Sequence, residues 1–137
     1  MKVVLDTNVL VSGLMTRGGT CSIIMDLLSD GWFTAVLDDR IMNEYQRVCA
    51  EPRLSLDSDA VQGFLHFLDD VAENVTATPL NTDLPDPDDI PLLEVAAASH
   101  AILVTGNKKH FPQRTMGAVR VVSPGEFLDM LRLPSGR

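Results

Sequence analysis

Two kinds of apolar spacing alternate along this chain. Lys2–Asp6 (KVVLD), Phe33–Leu37, Ala101–Thr105 (AILVT) and Val119–Val122 are short, unbroken apolar runs, which predict strands buried on both faces. Val75–Thr78 is a weaker fifth candidate. Between them, apolar residues recur every three or four positions, the period of a helix with one buried face. One such stretch is Thr20–Ser29, with Ile23, Ile24, Leu27 and Leu28 on one side and Gly31 as its stop. A second starts at Asp38 or Asp39, either of which can cap it, and runs to about Ala50 before Pro52 ends it. A third covers Asp57–Ala72 through Val61, Phe64, Leu65, Leu68, Val71 and Ala72. After a Pro/Asp loop over Thr82–Asp89, a Leu/Ala-rich helix reaches Ser99. Ser123-Pro124-Gly125-Glu126 is a capping box with proline at the first helical position, and it opens a last helix to about Arg132. Asp6, at the strand end before Thr7-Asn8, is, taken alone, an ordinary turn former, and no helix is predicted before Thr20.

This alternation predicts an α/β fold, a three-layer α/β/α sandwich around a central parallel sheet. A length of 137 residues suits one domain over 1–137. With 45% hydrophobic and 22% charged residues, the chain is of ordinary globular composition. No apolar run approaches the roughly 20 residues of a membrane span. Asp6 arrives too early for a signal peptide, and Cys21 and Cys49 form no CxxC. Reduced thiols and a cytoplasmic location are the expectation, with no membrane partner. The net charge of −8 argues against a plain basic nucleic-acid binder. From Leu54 to Asn107 there is no Lys or Arg but there are ten acids. Such a stretch is either a solvated face or one that attracts cations.

Ligands of parallel α/β sheets bind outside the carboxyl ends of the strands. Asp6 closes the first strand there, and Asn107 lies just past Thr105. Asp86, Asp88 and Asp89 stand where a loop enters the Leu/Ala helix, and Glu44 sits at the edge of a face shared by Ile41, Tyr45, Val48 and Cys49. Taken singly, these are ordinary turn, cap and surface residues. Gathered at one sheet edge, they would repel one another unless a cation lay between them. Hard oxygen donors suit Mg²⁺ or Mn²⁺, whose bound water can attack a phosphodiester. No Walker loop, GxGxxG or GxSxG is present; His66, between Leu65 and Phe67, reads as a half-exposed helix residue, and His100 and His110 are too isolated for a zinc site. Lys108, Lys109, His110 and Arg114 follow Asn107 directly, in a chain with only three lysines. They are either a solvated loop or a set of contacts to an RNA backbone.

Four segments in order carry a family resemblance. They are Val3–Leu10 with its LDTN, Glu44-Tyr45, Asp86-Pro87-Asp88-Asp89 with Leu92–Ala96, and Ile102–Asn107 with Phe111. Together they resemble the PIN domain (PilT N-terminal) family, in its branch of VapC-like toxins. The resemblance implies a Mg²⁺- or Mn²⁺-dependent endoribonuclease acting on RNA, a cognate antitoxin protein, and a homodimer in many members. It places Asp6, Glu44, Asp89 and Asn107 at the catalytic and metal positions, with Asp86 and Asp88 as second choices. Thr7 and Asn8 are expected to brace Asp6 through their side chains, with Thr105 in support. Many members carry an acid where this chain has Asn107, which favours one tight metal over two. Two other readings stand beside it. A degenerate PIN-like module could bind RNA or a protein without cleaving. Phosphotransfer of the haloacid-dehalogenase kind also starts from a strand-end Asp, but it wants a second Asp where Asn8 stands and a Lys that the 54–107 stretch lacks.

Overall fold

The computed structural model describes residues 1–132, without the side chain of Arg132. Its chain order is β1 (Lys2–Leu5), α1 (Thr7–Met15), α2 (Thr20–Ser29), β2 (Thr34–Leu37), α3 (Asp39–Cys49), α4 (Ser58–Val71), β3 (Glu73–Asn74), α5 (Ile90–Ser99), β4 (Ile102–Val104), β5 (Val121–Val122) and α6 (Pro124–Arg132). The strands form one five-stranded sheet in the order β3-β2-β1-β4-β5. Every pairing is parallel, and the helices flank the sheet as the outer layers of an α/β/α sandwich. The central strand β1 buries Val3, Val4 and Leu5 completely, which is why it carries no alternating polar residue.

Helix α1 was not legible in the apolar spacing. No helix was expected before Thr20, yet Thr7–Met15 is helical and follows Asp6 directly. Its sequence, TNVLVSGLM, is rich in β-branched and small residues of low helix propensity. Packing selects the helix instead. At Gly13 a Cβ would lie 2.5 Å from Met25 Cγ and 2.8 Å from the carbonyl oxygen of Cys21, so α1 and α2 approach backbone to backbone.

The expected strand at Val75–Thr78 is also displaced. Pairing with β2 falls on Glu73 and Asn74, and the amide of Val75 makes the last bond, to the Leu37 carbonyl. Beyond that point β2 offers nothing to pair with, because Asp38 turns away to accept from the Ile41 amide and cap α3. The capping box of α6 forms as expected: Glu126 accepts from the Ser123 amide, and Ser123 Oγ from the Glu126 amide. Behind the sheet, Phe33 and Phe127 meet edge to face at 5.2 Å and join α6 to the core. Cys21 and Cys49 are both free thiols.

Gly13→Ala should destabilise the protein although alanine is the better helix former. Met25 could shift, but the Cys21 carbonyl is backbone and cannot yield cheaply, so a net loss of about 1–3 kcal/mol is expected in urea unfolding. A neutral or stabilising effect would show that α1 and α2 can separate freely.

Candidate functional site

The chain reverses its path across the sheet between β1 and β4. Strands β2 and β3 lie to one side of β1, and β4 and β5 to the other. A crevice therefore opens beyond the carboxyl ends of β1 and β4, the usual ligand position of such sheets. Asp6 leaves β1 at this point and is 5% exposed. It occupies the position before α1, but its side chain does not cap that helix. Instead Asp6 Oδ2 accepts a 2.7 Å hydrogen bond from Thr105 Oγ1, and Thr105 Oγ1 in turn accepts from the Asn107 amide at 3.0 Å. Thr105 is completely buried, so the two strand ends are tied by a polar link in the protein interior.

The bracing by Thr7 and Asn8 differs from the expectation. The Thr7 hydroxyl donates to Glu44 Oε2 at 2.6 Å rather than to Asp6, and it turns Glu44 toward the crevice. The Asn8 carboxamide oxygen accepts from the Gly106 amide at 3.1 Å, joining α1 to the exit of β4. The nearby backbone amides of Asn8 and Thr7 favour the charged form of Asp6 without capping bonds. Helix α3 is held in place one residue past Glu44: Tyr45 is buried and its hydroxyl donates to the Leu5 carbonyl at 2.6 Å. The outer oxygen of Glu44 lies 3.6 Å from Arg47.

The Pro/Asp loop delivers the remaining acids through a short 3₁₀ turn over Pro87–Asp89. Asp86 accepts from the Asp88 amide and caps that turn. Asp89 is buried, whereas Asp88 is exposed and lines a groove with Glu44 and Arg47. Burial pushes the Asp6 carboxyl up, and the charge of Glu44 adds to this. Asp89 is raised to about 6, first by burial and then by the charges of Asp6 and Asp86, with His110 opposing. The negative charge of Glu44 therefore bears on Asp6, and those of Asp6 and Asp86 bear on Asp89.

The cations are arranged differently from the sequence expectation. Lys108 Nζ lies 2.9 Å from Glu126 Oε1 at the start of α6. Lys109 is exposed. Arg114 lines a cavity of about 470 Å³ with His100 and Arg120, alongside Ala101 and Ile102 at the opposite end of β4 from Asp6. Asn107 is half-buried beside the crevice. His110 is not isolated: its Nδ1 lies 3.0 Å from Asp89 Oδ2. Only its place three residues after Asn107 hinted at this, because the 3₁₀ turn over Lys108–His110 folds it back. A second unforeseen group is Glu94, buried in α5, which accepts from Arg40 and from the Leu80 amide, both at 2.7 Å. Arg40 also pairs with Asp38 at the α3 cap.

Comparison with known proteins agrees with this architecture. The family model of the PIN domain matches residues 2–109. An uncharacterised protein of Methanocaldococcus jannaschii is 27% identical over 140 aligned positions, covering 94% of this chain and 90% of that protein. Among solved structures, VapBC2 from Rickettsia felis, bound to a DNA fragment from its promoter, superposes with a TM-score of 0.64 at 19% identity. That match covers 90% of this chain and 98% of the other. A domain of a functionally unknown protein from Methanocaldococcus jannaschii gives 0.55 at 15% identity, over 89% of each chain. These structural likenesses are to the fold. The family match extends over most of the sequence, from β1 through the turn after β4, and takes in Asp6, Glu44, Asp89 and Asn107: the chain belongs to the PIN domain family.

Proposed function

We propose that this protein is a Mg²⁺- or Mn²⁺-dependent endoribonuclease and the toxin of a toxin–antitoxin pair. The observation that carries the reading is the gathering of Asp6, Glu44 and Asp89 at the sheet's switch point, two of them buried. Buried like charges are costly unless a cation offsets them. The donor set is made of carboxylates, with the Asn107 amide beside them, and it fits a hard divalent ion. Asp6, Glu44 and Asp89 would hold the ion, with Asn107 as a neutral fourth donor and Asp86 at the margin. When bound, the ion would supply charge neutralisation at the phosphate and an activated water.

The rest of the reading belongs to this chain's own residues. Thr105 fixes the rotamer of Asp6, and Thr7 fixes that of Glu44, so both carboxylates are oriented before any ligand arrives. Lys109, exposed two residues past Asn107, is available to an RNA backbone; Lys108 would first have to leave Glu126. Among the described residues no helix is long and apolar enough to cross a membrane. The neutral Asn107 favours a second reading, a PIN module that binds RNA without cutting it.

Asp6→Asn should keep the fold and remove divalent-dependent cleavage of structured RNA, because the amide retains the Thr105 hydrogen bond and loses the charge. Equal cleavage by this variant and the parent in Mg²⁺ would refute the metal-site assignment. A parent protein that retains RNA on a filter but never cuts it in Mg²⁺ or Mn²⁺ would favour the non-cleaving module.

The electrostatics also predict a stability effect in the metal-free protein. The folded state raises Asp89 from 3.8 to about 6, so it binds that proton more firmly than the unfolded chain does. The resulting stability is present at low pH and is lost as the pH rises through about 6. With chelator present, Asp89→Asn should therefore be more stable than the parent at pH 7.5, by about 1–2 kcal/mol. The advantage should shrink as the pH falls toward 4. Urea titrations at several pH values would show it, and a less stable variant at pH 7.5 would contradict the charge crowding.

The antitoxin is expected to be basic, with an Arg or Lys that enters among Asp6, Glu44 and Asp89 in place of the ion. The ten acids of the 54–107 stretch would speed its approach. Co-expression with the product of the neighbouring reading frame should yield a complex whose RNA cleavage is suppressed. Recovery of this chain alone, with unchanged activity, would remove the toxin–antitoxin part of the reading.

A further inference from the structure

His110 differs from the other two histidines in what it faces. His66 is exposed on α4, and His100 ends α5 in a left-handed conformation with φ 56°. His110 is half-exposed, and its Nδ1 points at the carboxylates. The 3₁₀ turn that brings it there is closed by its own amide, which donates to the Asn107 carbonyl at 3.1 Å. One donor atom from each of Asp86, Asp89 and His110 can be chosen so that all three lie within 4.8 Å of one another. Ligand bonds of about 2.0–2.3 Å put two donors on one ion no more than about 4.6 Å apart, so the three side chains would have to draw together only slightly around it. Asp86 has one oxygen committed to the Asp88 amide, and the other remains for a ligand.

The chemistry of the three donors is mixed. Mg²⁺ is bound through oxygen and gives up its waters reluctantly. Imidazole nitrogen favours transition ions. Asn107, beside the same crevice, offers only a neutral oxygen, so the imidazole is the stronger donor available on that side.

We propose that His110, with Asp86 and Asp89, forms a nitrogen-containing divalent site that binds Mn²⁺ in preference to Mg²⁺. This deepens the reading of the crevice as a metal centre by naming its ion and a ligand outside the acidic set. An ion bound there would replace the 3.0 Å contact between His110 Nδ1 and Asp89 Oδ2. Because the imidazole is half-exposed, an ion has a path to it from solvent.

The test is pulsed electron paramagnetic resonance on the Mn²⁺-loaded protein, paired with calorimetric titration by Mn²⁺ and by Mg²⁺ separately. The parent should show nitrogen modulation from a coordinated imidazole, and His110→Asn should lose it. Mn²⁺ affinity should fall by about tenfold or more in that variant, while Mg²⁺ affinity stays within a factor of about two. If His110→Asn fails to fold by circular dichroism, Asp86→Asn takes its place. It should weaken Mn²⁺ binding by about tenfold and keep the nitrogen signal. Absence of nitrogen modulation in the parent would overturn the proposal, as would equal weakening of both ions or an Asp86→Asn variant that binds Mn²⁺ like the parent. RNA cleavage is scored separately. Nitrogen ligation without cleavage in either ion would sink the nuclease reading alone. Cleavage with ligation through oxygen only would sink this proposal alone.

Discussion

Asp6 is a carboxylate buried beyond the paired ends of β1 and β4, where the order of the strands reverses. A lone buried charge there would be strongly destabilising, and much of the surrounding structure answers that cost. Thr105 donates to it from β4, and the backbone amides at the start of α1 face it. Glu44 and Asp89 nevertheless bring further negative charge toward it. Such an arrangement is a poor solution for stability alone and a good one for holding a cation. Tyr45 and Thr7 have the same logic: each spends a hydrogen bond on fixing where α3 presents Glu44.

Much of this was legible in the sequence because the relevant signals are local. The strands of a parallel sheet are short apolar runs, and β1, β2, β4 and β5 were readable as such. The caps at Asp38 and Ser123 announce α3 and α6 by residue type. The positions of Asp6, Glu44 and Asp89 followed from strand ends, helix faces and the order of the family motifs. What escaped depends on contacts between distant segments. Helix α1 has the composition of a strand or turn, and only packing of Gly13 on α2 makes it a helix. β3 is fixed by where β2 ends, not by its own residues.

The side-chain partners were less legible than the backbone. Thr7 and Asn8 were expected to brace Asp6, but their partners, Glu44 and Gly106, lie 37 and 98 residues away. Sequence spacing carries no information on such pairings. The cations after Asn107 looked like one cluster in sequence, yet the turns at Lys108–His110 and Gln113–Thr115 send them in different directions. Lys108 goes to Glu126, His110 to Asp89 and Arg114 to the far end of β4.

Glu94 has a consequence for how the crevice is made. The chain between β3 and the turn at Pro87 has no regular structure, and it must deliver Asp86 and Asp89 to the right place. A free segment of that length would sample many end positions, and ordering it would cost conformational entropy each time a ligand bound. The hydrogen bond from the Leu80 amide to Glu94 pins the segment near its middle, and Arg40 anchors Glu94 in turn to the cap of α3. One long excursion thus becomes two short ones. The disorder is removed when the protein folds, so a ligand arriving at Asp86 and Asp89 meets a loop whose wandering has already been stopped.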